Sequence, residues 1–469
     1  MRRIFYLLLI FNLCWPVSIL AQKGRVRHNW WPLFFFQESR DGSVRELQLF
    51  GPFYYSYETR FESGAAFRPL LAVVERKNTR DVFFLSPLGH YQKEPDSSRF
   101  RLIPLWARNS DAEENRRHHN FGLSFWGKSE KGEKYWGIFP FYGRLLDWNG
   151  KDEVRFYLWP IRVRSRFEGN VSSTWFWPIY NRTDGPTFYE RKFWPFYSRK
   201  IKKDAFDRSF FLWPFFWHEE FYLAEGKTTR DMFLPFWVEE RGPVHQRFIF
   251  LWPFFRLYRE ERQDITALDL PWPIFKYGEG KKTVYRERRF WPLLGYRKTE
   301  EEYSHFVLWP LYTYRFDVVR HRELEWRRET RTFLLFTRFE RVRDKRGHLK
   351  YQFSRVWPLG EQIKRDDGFE LFFFPAILPF HSEGVDRTIA PLLRLYEYLQ
   401  DPNGFTRSKA LWGFYRHDHT DEEDIVELAF LLSFHRKPEG WRFSFLKGLL
   451  GFGREEGHLK LQVLFIPLL

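Results

Sequence analysis

A Trp-Pro pair returns about every eighteen to twenty residues, always inside an aromatic run, and a fixed period of that size imposes a repeat architecture. The clear copies are Leu158-Trp159-Pro160-Ile161, Phe176-Trp177-Pro178-Ile179, Phe193-Trp194-Pro195-Phe196, Leu212-Trp213-Pro214-Phe215, Leu251-Trp252-Pro253-Phe254, Phe290-Trp291-Pro292-Leu293 and Leu308-Trp309-Pro310-Leu311, joined by Trp272-Pro273 and Trp357-Pro358. Degenerate copies such as Trp31-Pro32, Arg68-Pro69, Phe139-Pro140 and Phe374-Pro375 extend the series towards both ends. Phe333-Leu334-Leu335-Phe336 fills a missing copy without proline.

Between successive pairs lies a polar turn, for example Glu168-Gly169-Asn170 or Pro402-Asn403-Gly404, whose residues supply the positive φ of hairpin turns. The flanking segments alternate, as in Ile161-Arg162-Val163-Arg164-Ser165-Arg166-Phe167, and period-two alternation reads as antiparallel strand. Helical periodicity is nearly absent, residues 421–432 being the best short exception. The expected fold is all-β, an antiparallel up-and-down meander of about twenty strands. Closure into a barrel or barrel-like ring is expected because it removes exposed edges.

Two placements of Trp-Pro fit. In one it sits mid-strand, where proline needs a bulge. The apolar positions Val154, Phe156 and Leu158 are even-numbered and Ile161 and Val163 odd, the parity flip one inserted residue produces. In the other, Trp-Pro forms a corner at a hydrophobic hub from which short hairpins radiate.

The first residues shape the compartment. Met1-Arg2-Arg3, an apolar run over 4–13 and Ile19-Leu20-Ala21 read as a secretory signal peptide over 1–21, leaving 22–469 as one Trp-Pro-repeat β domain. The single cysteine, Cys14, falls in that leader, so the mature chain has no thiolate chemistry. With 76 basic against 60 acidic residues the net charge is +16, which favours anionic lipid or a polyanion as partner. Export argues against nucleic acid and points to an envelope membrane. No apolar run after the leader approaches the ~20 residues of a spanning helix.

Motifs for chemistry are sparse. His417 and His419, followed by Asp421, Glu422, Glu423 and Asp424, form the most ligand-like cluster, since His-x-His on a strand points both rings to one side; the plain alternative is a polar loop at a helix start. Arg322, Arg327, Arg331 and Arg338 stand as a candidate anion surface, against which Glu323, Glu325, Glu329 and Glu340 offer themselves as salt-bridge partners. No phosphate loop, nucleophile elbow or paired-carboxylate motif occurs, so no cofactor and no enzymatic activity is expected.

The stretch from Gly137-Ile138-Phe139-Pro140-Phe141-Tyr142-Gly143 through Tyr157-Leu158-Trp159-Pro160 resembles exported bacterial proteins built from Leu-Trp-Pro-Leu-Tyr repeats. The resemblance covers most of the chain after the leader. It implies a repeat protein of the bacterial envelope and carries no catalytic residues. The expectation is therefore an exported, non-enzymatic outer-membrane-type barrel with a structural or transport role for an anionic solute or lipid. The alternative is a soluble periplasmic or secreted binding scaffold with Trp-Pro at its hub. A membrane barrel needs an uncharged lipid face on every strand, so Arg162 and Arg164 pointing outwards near the aromatic belt would sink that reading.

Overall fold

The computed structural model describes residues 26–38, 44–321, 324–378, 381–455, 457–464 and 466–467; the leader, Arg322 and Glu323 lie outside them. The described residues form 46 strands, mostly five to eight residues long, in antiparallel hairpins that follow chain order. The expected all-β meander is present, with more than twice the strands anticipated. The reason is local. Each repeat contributes two strands because Trp-Pro is a corner between strands and does not lie within one.

The corner Leu158–Ile161 shows how. Leu158 has φ 44° and the Trp159–Pro160 peptide is cis. The amide of Ile161 donates to the carbonyl of Leu158 at 2.7 Å, closing a turn with cis-proline at its third position. The chain reverses, and Phe156 pairs with Val163. An even-numbered partner therefore faces an odd-numbered one, so the parity flip is the signature of a hairpin and requires no bulge. Cis X-Pro peptides recur at Trp177-Pro178, Trp194-Pro195, Trp213-Pro214, Trp252-Pro253, Trp272-Pro273, Trp291-Pro292, Trp309-Pro310 and Trp357-Pro358. Leu334 and Leu335, both at positive φ, make the proline-free corner. Leu411-Trp412-Gly413-Phe414 and Leu446-Lys447-Gly448-Leu449 are further proline-free corners, built on positive φ at their first three residues.

Contacts group the chain into two compact units, Pro104–Val319 and a second that joins the residues up to Ile103 with those from Arg320. In Pro104–Val319 one sheet face is the more covered. It carries Phe156, Phe210, Val238 and Ile249 together with Ser165, Thr183, Ser198, Glu219, Glu240 and Asp269, all buried. Paired basic groups explain how acids tolerate that face: Glu240 accepts from Arg230, Arg247 and His245.

In the other unit the two chain segments meet face to face over a polar core. Phe35, Glu46, Arg407, Arg416 and Glu427 are essentially inaccessible. Arg407 donates to Asp418 at 2.8 Å, Arg27 to Asp418 at 2.7 Å, and Asn29 to Glu427 at 2.8 Å. Arg416 lies over the Phe35 ring at 3.5 Å with Glu46 3.7 Å away. Beside this core, Ala66, Ala72, Val74 and Phe83 form an apolar cluster. It is flanked by the helix Glu383–Thr388, which starts at the N-cap Ser382. Among the described residues no strand pairing joins the first strand to the last. Residues 421–432, the expected helical exception, form parts of the strands Asp424–Leu428 and Leu432–Lys437, because Ile425 and Glu427 alternate inward there.

Candidate functional site

The corners of Pro104–Val319 line up along one edge. The amide of Trp159 donates to Pro140 at 2.7 Å, that of Trp177 to Pro160 at 2.7 Å, and that of Trp213 to Pro195 at 2.6 Å, so each corner is stitched to the one before. Within Leu158–Ile161 the amides of Leu158, Trp159 and Ile161 all donate, and Pro160 has none to donate. The same holds for the corners 176–179, 212–215, 251–254 and 308–311. Turns ordinarily leave amides for water to satisfy; these corners leave none. Their side chains nevertheless face out: Trp159, Trp177, Trp213, Trp252, Trp272 and Trp309 are all exposed, as are Phe176, Phe215, Phe254 and Leu311. Neighbouring indoles touch, with centroids 5.8 Å apart for Trp159 and Trp177 and 5.5 Å for Trp194 and Trp213. The rim is thus apolar and aromatic, and these five corners leave no amide donor unbonded.

Two ordered rows stand behind it on one sheet face. Strand register places Tyr142, Tyr157, Arg162, Trp175, Tyr180, Phe193, Tyr197, Phe211 and Phe216 side by side, one per strand. Arg162 joins this row by laying its guanidinium 4.2 Å from the Trp175 ring. Two residues further from the rim the same register aligns Arg144, Arg155, Arg164, Ser173, Arg182, Arg191 and Arg199. Like charges directly opposite one another cost stability in a sheet. Acids beside the row offset part of it: Glu153 accepts from Arg144 at 2.7 Å and Arg155 at 2.6 Å, and Asp184 from Arg182 and Arg191. Burial would raise the Glu153 pKa, but these two arginines hold it below the ordinary carboxylate value. Arg162, Arg164 and Arg166 lie opposite the buried Ser165 in the alternation, hence on the outer face.

The signal for these rows was present in the sequence as an arginine two places from the aromatic flanking a corner, as in Arg155 and Tyr157 or Arg191 and Phe193. It becomes visible only once the corners set the register. Between corners, on the other face, Trp213, Trp217, Met232 and Trp252 line an open cleft of about 530 Å³ with the Glu219–Arg230 pair among its walls.

The anticipated arginine surface is arranged otherwise. Arg327 and Arg331 share a face, whereas Arg338 stands opposite Thr332 and so on the other one. Each meets a glutamate two residues away on its own strand: Arg327 with Glu325, Arg331 with Glu329, Arg338 with Glu340. They form a lattice of surface ion pairs and not a single row.

His417 and His419 do lie on one side of the strand Tyr415–His419, with the intervening Asp418 turned into the polar core. Asp424 stands directly opposite His419 on the next strand. Its Oδ1 lies 2.6 Å from His417 Nε2 and 3.6 Å from His419 Nδ1. Of the four acids after the histidines, Asp424 is the one the hairpin brings back to them.

No protein-family model matches this chain, and no curated protein matches it.

Proposed function

We propose that this chain is a non-enzymatic repeat protein of the cell envelope that sits on an anionic membrane through its corner rim. The carrying observation is the rim: an apolar edge on which the corners 158–161, 176–179, 212–215, 251–254 and 308–311 have every amide donor bonded loses less by leaving water. Behind it the aromatic row matches the preference of Tyr and Trp for the membrane interface. The arginine row, two residues or roughly 7 Å further on, matches the level of phosphate groups. The apolar band ends there. Strands of five to eight residues with exposed arginines so close to the rim fit a seat roughly 5–10 Å deep better than a wall spanning the ~30 Å hydrocarbon core. A ring-like closure belongs to the same reading, supported where Arg407 reaches Glu46 and brings the two ends of the repeat series together. The structural or transport role for an anionic lipid or solute is retained in it.

Fractionation of the exported full chain tests this. Membrane retention that is released by high salt with carbonate supports a seated protein. Resistance to both washes, with a heat-dependent gel shift, would replace it with an integral outer-membrane barrel. A wholly soluble protein that ignores anionic vesicles would replace it with the scaffold reading.

A further inference from the structure

We propose that His417, His419 and Asp424 form a binding site for a divalent transition-metal cation of the zinc class. The three donor atoms lie within 4.8 Å of one another. The spacing follows from the strand: residues two apart project to the same side, and the hairpin through Thr420 and Glu423 fixes the register. That turn is rigid in its own right. Thr420 Oγ1 accepts from the amide of Glu423 at 2.9 Å, and the Thr420 amide donates to the Glu423 carbonyl at 2.8 Å. His419 and Asp424 are therefore a directly opposed cross-strand pair, and His417 reaches the same carboxylate from one pleat further along.

Two imidazoles and a carboxylate suit zinc and its neighbours, which take nitrogen and oxygen donors at about 2.0–2.2 Å. A cation would enter from the solvent side, where His419 is half exposed, and would replace the His417–Asp424 hydrogen bond. His417 would bind through Nε2 with its proton on Nδ1, and His419 through Nδ1. Three protein ligands leave a position for water. Arg436, opposite Asp424 on the following strand, is the cationic neighbour a metal must tolerate.

The site would act as a clamp. The strands it joins, Tyr415–His419 and Asp424–Leu428, carry Asp418 and Glu427 of the buried polar core on their other faces. Holding the hairpin shut holds both acids against Arg407 and Arg27. This inference is independent of the membrane reading.

The test is calorimetric titration of the tag-free full chain with zinc, paired with cobalt absorption spectra. One zinc per chain is expected, with a cobalt d–d band and a higher thermal midpoint in zinc. His419→Ala and the nearly isosteric Asp424→Asn are each expected to weaken binding at least about tenfold and to abolish the thermal shift. His218→Ala, which removes an exposed histidine paired with Asp231 at 2.6 Å, is expected to leave all three readouts unchanged. No stoichiometric zinc uptake overturns the proposal. So does uptake that Asp424→Asn leaves intact while its zinc-free unfolding curve matches the parent.

Discussion

Arg407 Nη1 donates to Glu46 Oε2 at 2.8 Å, joining residues 361 positions apart in the chain. Both are fully enclosed, and Asp418 holds the other edge of the same guanidinium at 2.8 and 3.0 Å. Removing one partner of such a group leaves a buried charge without its counter-ion. Arg407→Met is expected to destabilise this unit by about 3–5 kcal/mol. Urea unfolding followed by circular dichroism measures it. A loss below about 1 kcal/mol, the range of surface pairs, would mean the cluster does not organise the core.

The same cluster sets an acid limit. Burial alone would raise Glu46 and Glu427, but Arg407 and Arg416 around the first, and Arg27 and Lys447 around the second, bring each to about 2. A depressed carboxylate stabilises the fold above its unfolded value of about 4.5, and that contribution drains away as pH falls towards 2. His435 works in the same direction over a higher window. Burial lowers it to about 4, so protonation favours the unfolded chain as pH drops from about 6.5 to 4. The thermal midpoint is expected to peak near pH 6.5. Above it, stability drains away towards pH 9 as His381, lowered by burial but raised on balance to about 9 by Asp386 and Glu361, loses its proton. Below it, the midpoint declines and falls steeply under about 4.5. On the acid side, Glu46→Gln should flatten the lower limb and His435→Phe the upper one.

The sequence carried the repeat itself. Proline spacing located the corners, and Gly-Asn turns located the opposite edge. It did not decide between strand and corner, because the parity flip around Trp159 is common to a bulge and to a hairpin, and only the pairing of Phe156 with Val163 separates them. Leu411-Trp412-Gly413-Phe414 is invisible to proline spacing, because a glycine with positive φ makes the same corner without proline. The arginine row needed strand register. The pairing of Glu46 with Arg407 needed tertiary structure, since nothing local connects them. His417 and His419 were legible from their alternation, and Asp424 became the third member only through the register of one hairpin.

Gly137 and Gly143 face each other across a strand pair, and the rings of Phe125 and Phe156 occupy the space a side chain would take. A Cβ on Gly137 would stand 2.6 Å from the Gly143 backbone. Neither position is free to yield, because Phe156 is itself buried. Gly143→Ala is expected to cost roughly 1–3 kcal/mol through overpacking. Phe156→Leu in the same background should recover part of it by vacating the ring's volume, which a chemical-denaturation double-mutant cycle would reveal.

The rim and the arginine row both predict weaker membrane binding at little cost in stability, with different salt dependence. Arg155, Arg164, Arg191 and Arg199 stand in a register where like charges adjoin, so Arg164→Gln relieves repulsion and is expected to leave the unfolding midpoint unchanged or raise it. Binding to anionic vesicles should weaken about fivefold for that substitution, the equivalent of about 1 kcal/mol per basic residue at a charged surface. The loss should disappear at high salt, where the parent's electrostatic contribution is screened too. Trp252→Ser acts on the apolar part. Its indole is exposed, so the fold should lose little, while vesicle binding should weaken equally at low and high salt because the lost term is burial of the ring. Vesicle sedimentation across a salt series separates the two. If both substitutions showed the same salt dependence, the aromatic rim and the arginine row would not occupy different depths, and the layered seat would be the wrong geometry.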